Sequence, residues 1–246
     1  MITRRTTTLL IASGPAFGFF QDRTSVGFIS DPSGPHLQIY LDALRTQAVG
    51  DIAIADGTGG IFDRAKKTLA PREIRTFRDP VEMLRTARPH LVLVALEARL
   101  APEAIRLALE HDAHVLAEKP ACVRANDFAS LVDLAGRRKR NLMLAFATRL
   151  HPVSQRAHAL IASNSIGRPF GVAAHYIADQ TRLTKPDYQR SWFASRERAG
   201  GGHLVWLGIH YVDLIQFITG QQITEIAAQT ANIGGQPVNI EDSAAV

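Results

Sequence analysis

The sequence predicts an α/β protein whose first part is a doubly wound, parallel Rossmann-type sheet. Short, continuous apolar runs recur between residues 26 and 145, which is typical of strands buried on both faces. The segments between these runs show the apolar spacing of amphipathic helices. Strands and helices that alternate in this way form parallel sheets, and the ligands of such sheets bind at the carboxyl ends of the strands.

Each element rests on a local pattern. The apolar runs predict strands at residues 26–29, 52–55, 91–95, 114–117 and 142–145. Helices are predicted at residues 37–45, 79–87, 102–110 and 127–138, where Asp79 and Asn126 suit the N-cap and Pro102 suits the first turn. Further strands are expected at residues 223–229 and 238–246. Since the last of these stops where a strand should continue, we expect a fragment or an unusually short form.

Composition excludes several classes of protein. With 46% hydrophobic and 21% charged residues, the 246-residue chain has the make-up of a globular protein. It lacks the run of roughly 20 uncharged apolar residues that a membrane-spanning helix needs, so no membrane insertion is expected. Its single cysteine, Cys122, excludes an internal disulfide and a cysteine-based zinc site, and no metal site is predicted. The net charge of +5 comes without a basic patch interleaved with aromatic residues, so no nucleic-acid partner is predicted.

Residues 1–24 differ in character from the rest of the chain. Arg4 and Arg5 precede an uncharged stretch at residues 6–20, and Asp22 and Arg23 follow it. This is the layout of a twin-arginine export signal, and it predicts a periplasmic or otherwise exported protein. The alternative is a disordered amino terminus on a cytoplasmic protein.

The loop after the first strand is where a Rossmann fold binds the phosphates of a dinucleotide. Such loops normally carry three glycines, but this one keeps a single glycine and contains two prolines, which have no N–H group to donate. The start of the next helix still offers its positive end to an anion. By itself the loop is weak evidence for a nucleotide, and its candidate cofactor-binding residues are Asp31, Ser33, Gly34 and His36.

Asp56 ends the second strand, roughly 20 residues beyond that loop. An acid at this position accepts hydrogen bonds from the adenosine ribose, and it would repel a 2′-phosphate. This interpretation slightly favours NAD over NADP. An Asp-Gly pair is also an ordinary turn, so a plain loop is the alternative.

Two motifs then point to a family. Glu118-Lys119-Pro120 follows an apolar strand, and residues 200–213 read GGGHLVWLGIHYVD. In this order the two motifs resemble the Gfo/Idh/MocA oxidoreductases, and the resemblance extends from about residue 25 to the last residue. It implies a Rossmann domain at residues 25–147 that binds NAD or NADP. It also implies an α+β domain at residues 148–246, with an open, mostly antiparallel sheet that carries the substrate and forms the contacts of a homo-oligomer.

The resemblance also assigns roles to side chains. It places Glu118 and Lys119 beside the cofactor, and it makes Lys119 and His210 the catalytic residues. An ammonium group can donate hydrogen bonds to an oxygen that develops negative charge, and an imidazole can exchange a proton near neutral pH. The alternatives are a surface salt bridge between Lys119 and Glu118, and a histidine satisfied within the core.

Several further residues are candidates for substrate binding. On a regular helix, spacings of three and four place His203, Trp206, His210 and Asp213 on one face, where they are expected to face a cleft. Arg149, after the last strand of the sheet, is another candidate, and its alternative is a solvated hinge residue. Trp192, before the glycine run, is the last candidate, and its alternative is a core position. The substrate-binding set is therefore Arg149, Trp192, His203, Trp206 and Asp213.

The chain also departs from the family pattern. Many dehydrogenase members carry an aspartate four residues before the histidine, where this chain has Trp206, and residues 96–101 replace a Thr-Pro-x-x-x-His segment. Three interpretations follow: an altered reaction, an altered substrate with Trp206 stacking on a sugar ring, or a loss of catalysis.

The resemblance implies hydride transfer between NAD(P) and a hydroxyl-bearing substrate such as a sugar or polyol. An NAD-dependent glycosidase or epimerase without net redox change is the enzymatic alternative. The alternative outside enzymes is a non-catalytic sensor of a sugar or cofactor. Trp206, in place of the usual carboxylate, is the feature that distinguishes it.

Overall fold

The computed structural model describes residues 24–246. Its first part alternates the strands β1 (Val26–Ser30), β2 (Ile52–Ala55), β3 (Ile74–Phe77), β4 (Leu91–Ala95), β5 (His114–Ala117) and β6 (Leu142–Leu144) with the helices α1 (Leu37–Thr46), α2 (Phe62–Leu69), α3 (Pro80–Ala87), α4 (Ala101–Glu110) and α5 (Ala125–Arg138). The predicted export signal falls almost wholly within residues 1–23. It therefore lies outside the described residues, and the exported location stays a prediction.

The six strands form one parallel sheet in the order β3-β2-β1-β4-β5-β6. Val26 at the start of β1 pairs with Ile52 on one side and with Leu91 on the other, so β1 occupies the middle of the sheet. The chain winds outward from β1 in both directions, and the strand order reverses between β1 and β4, where ligands of such sheets bind. The predicted doubly wound α/β fold is confirmed.

Apolar side chains fill both faces of this sheet. On one face Phe28 and Ile54 of the sheet pack against Leu41 of α1 and Leu69 of α2, and on the other Ile29 of the sheet packs in the cluster that contains Ile105 of α4. Burial on both faces is the reason that the central strands have continuous apolar sequences.

Sequence patterns did not reveal α2 and β3. Strand β3 lies at the edge of the sheet, and its residues are partly or fully exposed, so it has no continuous apolar run. Helix α2 buries only Ala65 and Leu69. Both elements are held by pairing and packing with their neighbours, which the sequence alone does not display.

The second part of the chain is mainly helical. It contains 3-10 turns at Ala147–Leu150, Thr181–Thr184 and Trp192–Ala194, a π-helical turn at Leu204–Gly208, the helices α6 (Pro152–Ala162), α7 (Pro186–Arg190), α8 (Arg196–Ala199) and α9 (Ile209–Thr219), and the strands β7 (Gln229–Ala231) and β8 (Ser243–Ala245). Helix α6 packs against α9. In residues 24–246, no helix is long and apolar enough to cross a membrane.

The strands predicted at residues 223–229 and 238–246 are only partly right. Strands β7 and β8 pair antiparallel over three residues each, and most of residues 220–228 has no ladder partner in the described chain. Since a strand exists only when a neighbour completes its hydrogen bonds, the expected open sheet is limited here to this pair. The domain boundary at residue 147 and the oligomer contacts remain predictions.

Two glycines mark places where the chain approaches itself closely. A Cβ atom on Gly34 would lie 2.3 Å from Ser30 Oγ and 2.4 Å from the Ala95 carbonyl oxygen. A Cβ atom on Gly202 would lie 2.0 Å from the Glu241 carbonyl oxygen. Only glycine fits at these positions without displacement of backbone, and both contacts border the carboxyl edge of the sheet or the segment that covers it.

Replacing Gly34 with alanine tests the first of these contacts. We expect Gly34→Ala to lower the free energy of unfolding by about 1–3 kcal/mol, because the methyl group overpacks the junction of β1 and β4. Gly136→Ala is the matched control. It lies in α5 with nothing within 4 Å of the new methyl group, so we expect a gain of about 0.5–1 kcal/mol. Thermal and urea unfolding measure both, and equal effects of the two changes would contradict the close contact at Gly34.

Candidate active site

The candidate site lies at the carboxyl edge of the parallel sheet. Three loops converge there, namely residues 31–36 after β1, residues 96–100 after β4 and residues 118–124 after β5. The segment from Trp192 to Asp213 packs over them from the second part of the chain. Trp192 Nε1 donates a hydrogen bond of 3.0 Å to the Ser33 carbonyl oxygen, which joins the two parts of the chain.

Lys119 is a buried cation, with 2% of its surface exposed. Its Nζ donates a hydrogen bond of 3.0 Å to the Trp206 carbonyl oxygen, and it lies 3.8 Å from the centroid of the Trp206 ring. Burial lowers the pKa of Lys119 to about 8; the positive charge of Arg182 acts in the same direction, and the Glu118 carboxylate opposes both. The amine is therefore buried against Trp206, and the alternative of a surface salt bridge with Glu118 does not describe it.

Glu118 organises the groups around Lys119. Its Oε2 accepts a 2.7 Å hydrogen bond from the Tyr40 hydroxyl and lies 3.2 Å from His36 Nδ1, while its Oε1 accepts a 3.0 Å bond from the Lys119 N–H. Burial alone would raise the pKa of Glu118, but the bonds from His36 and Tyr40 outweigh it and lower that pKa. The carboxylate thus stays ionised and positions the turn that carries Lys119.

His210 faces the same region from α9. Its ring packs edge-on against Phe146, with centroids 6.0 Å apart, and its buried Nδ1 has no hydrogen-bond partner within residues 24–246. Burial lowers the pKa of His210, and the charge of Lys119 lowers it further. Nδ1 of the neutral ring is therefore able to accept a proton.

Arg149 and Asp213 pair with each other. Arg149 Nε donates a 2.6 Å hydrogen bond to Asp213 Oδ2, and its Nη2 donates a second bond to Oδ1. Asp213 is buried, whereas the Arg149 side chain is 44% exposed. The pair joins the turn after β6 to α9, so these two predicted substrate-binding residues have a structural role that sequence reasoning did not foresee.

The two tryptophans lie in one aromatic cluster. Trp192 is buried and stacks on Phe193 at 3.9 Å, which corresponds to the core alternative rather than to an exposed platform. Trp206 meets Phe193 edge-on at 4.8 Å, and its ring also lies against the Lys119 amine. Trp206 is therefore the indole next to the reactive groups.

His203 does not share the face of Trp206, His210 and Asp213. Its Nδ1 is 2.7 Å from Gln180 Nε2, and its ring stacks on Tyr176 at 5.6 Å. Residues 204–208 form a π-helical turn, which has more residues per turn than an α-helix. The stripe expected from regular helix geometry is therefore broken at its first residue.

The loop after β1 is shaped by its own side chains. Asp31 Oδ1 accepts bonds of 2.7 Å from both the N–H and the hydroxyl group of Ser33. No side chain caps the amino end of α1, whose first turn has no acidic residue. Its free N–H groups can bind an anion, so this loop fits a pyrophosphate despite the lost glycines. His36, at the N-cap, brings its ring next to Glu118.

Asp56 has partners other than the predicted ribose. Its carboxylate is 1% exposed and accepts bonds from the Thr58 N–H at 2.8 Å, the Thr58 hydroxyl at 2.9 Å and the Ile61 N–H at 3.0 Å. These bonds hold the turn that leads to α2. A contact with ribose stays a prediction, and it would require the carboxylate to give up part of this set.

Sequence reasoning missed Glu97. This residue follows β4 and is 2% exposed, and Arg198 from α8 holds its carboxylate through Nε at 2.9 Å and through Nη2. The signal was available, because a charged residue at the end of a buried strand needs a partner. The segment at residues 96–101 that lacks the family motif is therefore the anchor of Arg198.

Removing Arg149 tests the cost of the buried Asp213 charge. We expect Arg149→Met to lower the free energy of unfolding by about 2 kcal/mol, less than for a fully enclosed pair because the Arg149 side chain is 44% exposed. Arg190→Met is the control, since its partner Asp187 is 96% exposed and surface pairs contribute little. Equal shifts of the unfolding midpoint in the two variants would contradict this role.

Two family models match the chain. The model for the oxidoreductase family with an NAD-binding Rossmann fold matches residues 29–146, and the model for the GFO/IDH/MocA C-terminal domain matches residues 154–246. A curated relative, the D-glucoside 3-dehydrogenase of Escherichia coli K12, is 27% identical over 142 residues, which are 58% of this chain and 39% of that protein. The chain thus spans less than half the length of this relative.

Solved structures share the fold. The oxidoreductase domain protein from Kribbella flavida superposes with a TM-score of 0.79 at 25% identity, over 91% of this chain and 63% of that one. The scyllo-inositol dehydrogenase from Lactobacillus casei, solved with NAD(H) and scyllo-inositol, superposes with a TM-score of 0.73 at 21% identity, over 87% of this chain and 61% of that one.

Proposed function

The chain belongs to the Gfo/Idh/MocA family of oxidoreductases, and from this premise we propose that it transfers a hydride between NAD(P) and a hydroxyl-bearing substrate of the sugar or polyol class. The observation that carries the proposal is the Lys119 amine, which is buried after β5 at the carboxyl edge of the sheet, lies against Trp206 and has its pKa lowered to about 8. Perturbed groups of this kind cluster at catalytic sites.

The carboxyl edge of the sheet supplies a fit for the dinucleotide. The uncapped amino end of α1 would hold the pyrophosphate, and Gly34 keeps the loop close to β4. When bound, the nicotinamide supplies the hydride acceptor or donor. The protein supplies binding, orientation and proton movement.

Lys119 and His210 supply the proton chemistry. In the oxidation direction, a neutral Lys119 Nζ accepts the proton of the substrate hydroxyl group, and in reduction the ammonium returns it. His210 Nδ1 is the second group able to take a proton, because it has no partner among residues 24–246. Glu118 orients the turn and exchanges no proton with substrate in this scheme.

Trp206 indicates the class of substrate. An indole cannot accept a proton as a carboxylate does, but its face suits the apolar face of a sugar ring. The named relatives act on a glucoside and on a cyclic polyol. A cyclic polyhydroxylated substrate stacked on Trp206 agrees with both facts. Such a substrate would displace the Lys119 amine from the indole ring.

Substitution of Lys119 tests the proton-transfer role. We expect Lys119→Met to lower kcat about 10²-fold or more on a substrate that the unchanged protein oxidises, with dinucleotide affinity retained, because the proton acceptor is lost. Lys67→Met is the control, since Lys67 is exposed on α2. Turnover that survives Lys119→Met would remove Lys119 from the reaction.

The pH profile tests the same residue independently. Because the pKa of Lys119 is about 8, its neutral fraction rises with pH up to that value and then levels. We therefore expect kcat/KM for oxidation to rise about tenfold per pH unit below pH 8 and to reach a plateau above it. A flat profile between pH 6 and pH 9 would argue against a lysine base.

A second function, dinucleotide or sugar sensing without catalysis, is favoured by one observation. The Lys119 ammonium is covered by Trp206 and bonded to its carbonyl group, at a position where many family members have a carboxylate. Calorimetric binding of NAD(P) and a cyclic polyol, without any reduction of the dinucleotide across a polyol panel, would select this function over the first.

A further inference from the structure

Arg182 is a half-buried cation in the 3-10 turn at residues 181–184. Its Cζ lies 5.2 Å from the centre of the Tyr188 ring, and Tyr188 and Trp206 line one small cavity. Trp206 in turn lies against the Lys119 amine, 3.8 Å from it. The positive charge of Arg182 lowers the pKa of Lys119. Arg182 therefore borders the same aromatic side chains as the proposed proton acceptor.

The guanidinium of Arg182 lacks a counter-charge. None of the ion pairs within residues 24–246 includes this residue. Its Nε is buried without a hydrogen-bond partner in that range, and its Nη2 makes a long contact of 3.5 Å with Gln180 Oε1. A charge withdrawn from water without a partner raises the free energy of the folded protein. A negatively charged ligand would compensate it.

The carboxylates closest to Arg182 in the sequence have other partners. Asp179 Oδ1 accepts a 2.8 Å hydrogen bond from the Thr181 N–H, and Asp187 pairs with Arg190 on the exposed side of α7. Neither carboxylate is therefore the natural partner of the Arg182 guanidinium.

His203 adds a second donor beside Arg182. The Gln180 amide joins the two side chains, because its Nε2 lies 2.7 Å from His203 Nδ1 while its Oε1 faces Arg182. Burial and the charge of Arg182 lower the pKa of His203, against the charges of Glu241 and Asp242. The ring is therefore neutral, and since Nδ1 accepts the bond from Gln180, the ring proton is on Nε2. His203 Nε2 can then donate a hydrogen bond to an oxygen atom.

We propose that Arg182 is a specificity-determining residue that binds an anionic oxygen group of the substrate, a carboxylate or a phosphate, so that this protein selects an acidic sugar over a neutral one. The inference rests on the proposed function, because it assigns the substrate class of the same site. A planar guanidinium presents paired N–H donors that match two oxygens of such a group. His203 Nε2 supplies a further donor, while the sugar ring stacks on Trp206.

Isothermal titration of the full chain, saturated with NAD⁺ or NADP⁺, tests the anion site without turnover. The probes are D-glucuronate and D-galacturonate for the carboxylate, the 6-phosphates of D-glucose and D-galactose for the phosphate, and the two neutral sugars for comparison. We expect one type of acidic sugar to bind at least about tenfold more tightly than its neutral counterpart, since hydrogen bonds to charged groups are strong. The type that binds identifies the anionic group.

Substitution of Arg182 assigns the difference to this residue. We expect Arg182→Gln to remove most of the preference for the acidic sugar while the affinity for the neutral sugar stays the same, and Arg182→Lys to restore part of the preference. Arg190→Gln is the matched control, because its partner Asp187 is 96% exposed, and it should leave both affinities unchanged.

The outcomes separate this inference from the proposed function. If none of the acidic sugars binds more tightly than its neutral counterpart, or if Arg182→Gln weakens both equally, the anion site is wrong. The proposed function then still stands if a neutral sugar or polyol reduces the dinucleotide. If neither dinucleotide binds, both proposals fall.

Discussion

The arrangement depends on the parallel pairing of β1 with β2 on one side and with β4 on the other. This pairing places the carboxyl ends of the central strands at one edge, and it forces the connections to leave in opposite directions from β1. The loops that follow β1, β2, β4 and β5 therefore meet in one region. Asp31, Asp56, Glu97 and Lys119 therefore lie along one edge of the sheet although they are far apart in the sequence.

The partners of the buried charged side chains at this edge distinguish the structural groups from the group able to exchange a proton. Glu97 is held by Arg198, Asp213 by Arg149, and Glu118 by Tyr40 and His36. Each carboxylate is balanced by donors that stabilise its ionised form. Lys119 differs, since within residues 24–246 its amine hydrogen-bonds to a carbonyl group and lies against an aromatic ring. Burial lowers the pKa of Lys119 by more than the Glu118 carboxylate raises it.

The sequence was sufficient for the central strands, because strands buried on both faces carry continuous apolar residues. The choice of Lys119 and His210 came from the family resemblance through short, local motifs, and their catalytic roles stay predictions. The sequence failed where structure comes from a neighbour: β3 is held by β2, and the residues near 225 have no strand partner within the described part of the chain, residues 24–246.

Side-chain partners were the other limit. Nothing in the spacing of Asp213 shows that Arg149 lies against it, and the displaced His203 results from a π-helical turn that ordinary helix periodicity does not include. Asp56 was identified correctly as the end of β2, but the direction of its carboxylate depends on Thr58 and Ile61.

The hydrogen bond from Trp192 to the Ser33 carbonyl has a practical consequence. The chain has two tryptophans, Trp192 and Trp206, and both lie over the loops at the carboxyl edge of the sheet. One indole touches the loop after β1, and the other touches the Lys119 amine. The tryptophan emission of this chain therefore originates beside these loops, so its fluorescence is a built-in optical probe of them.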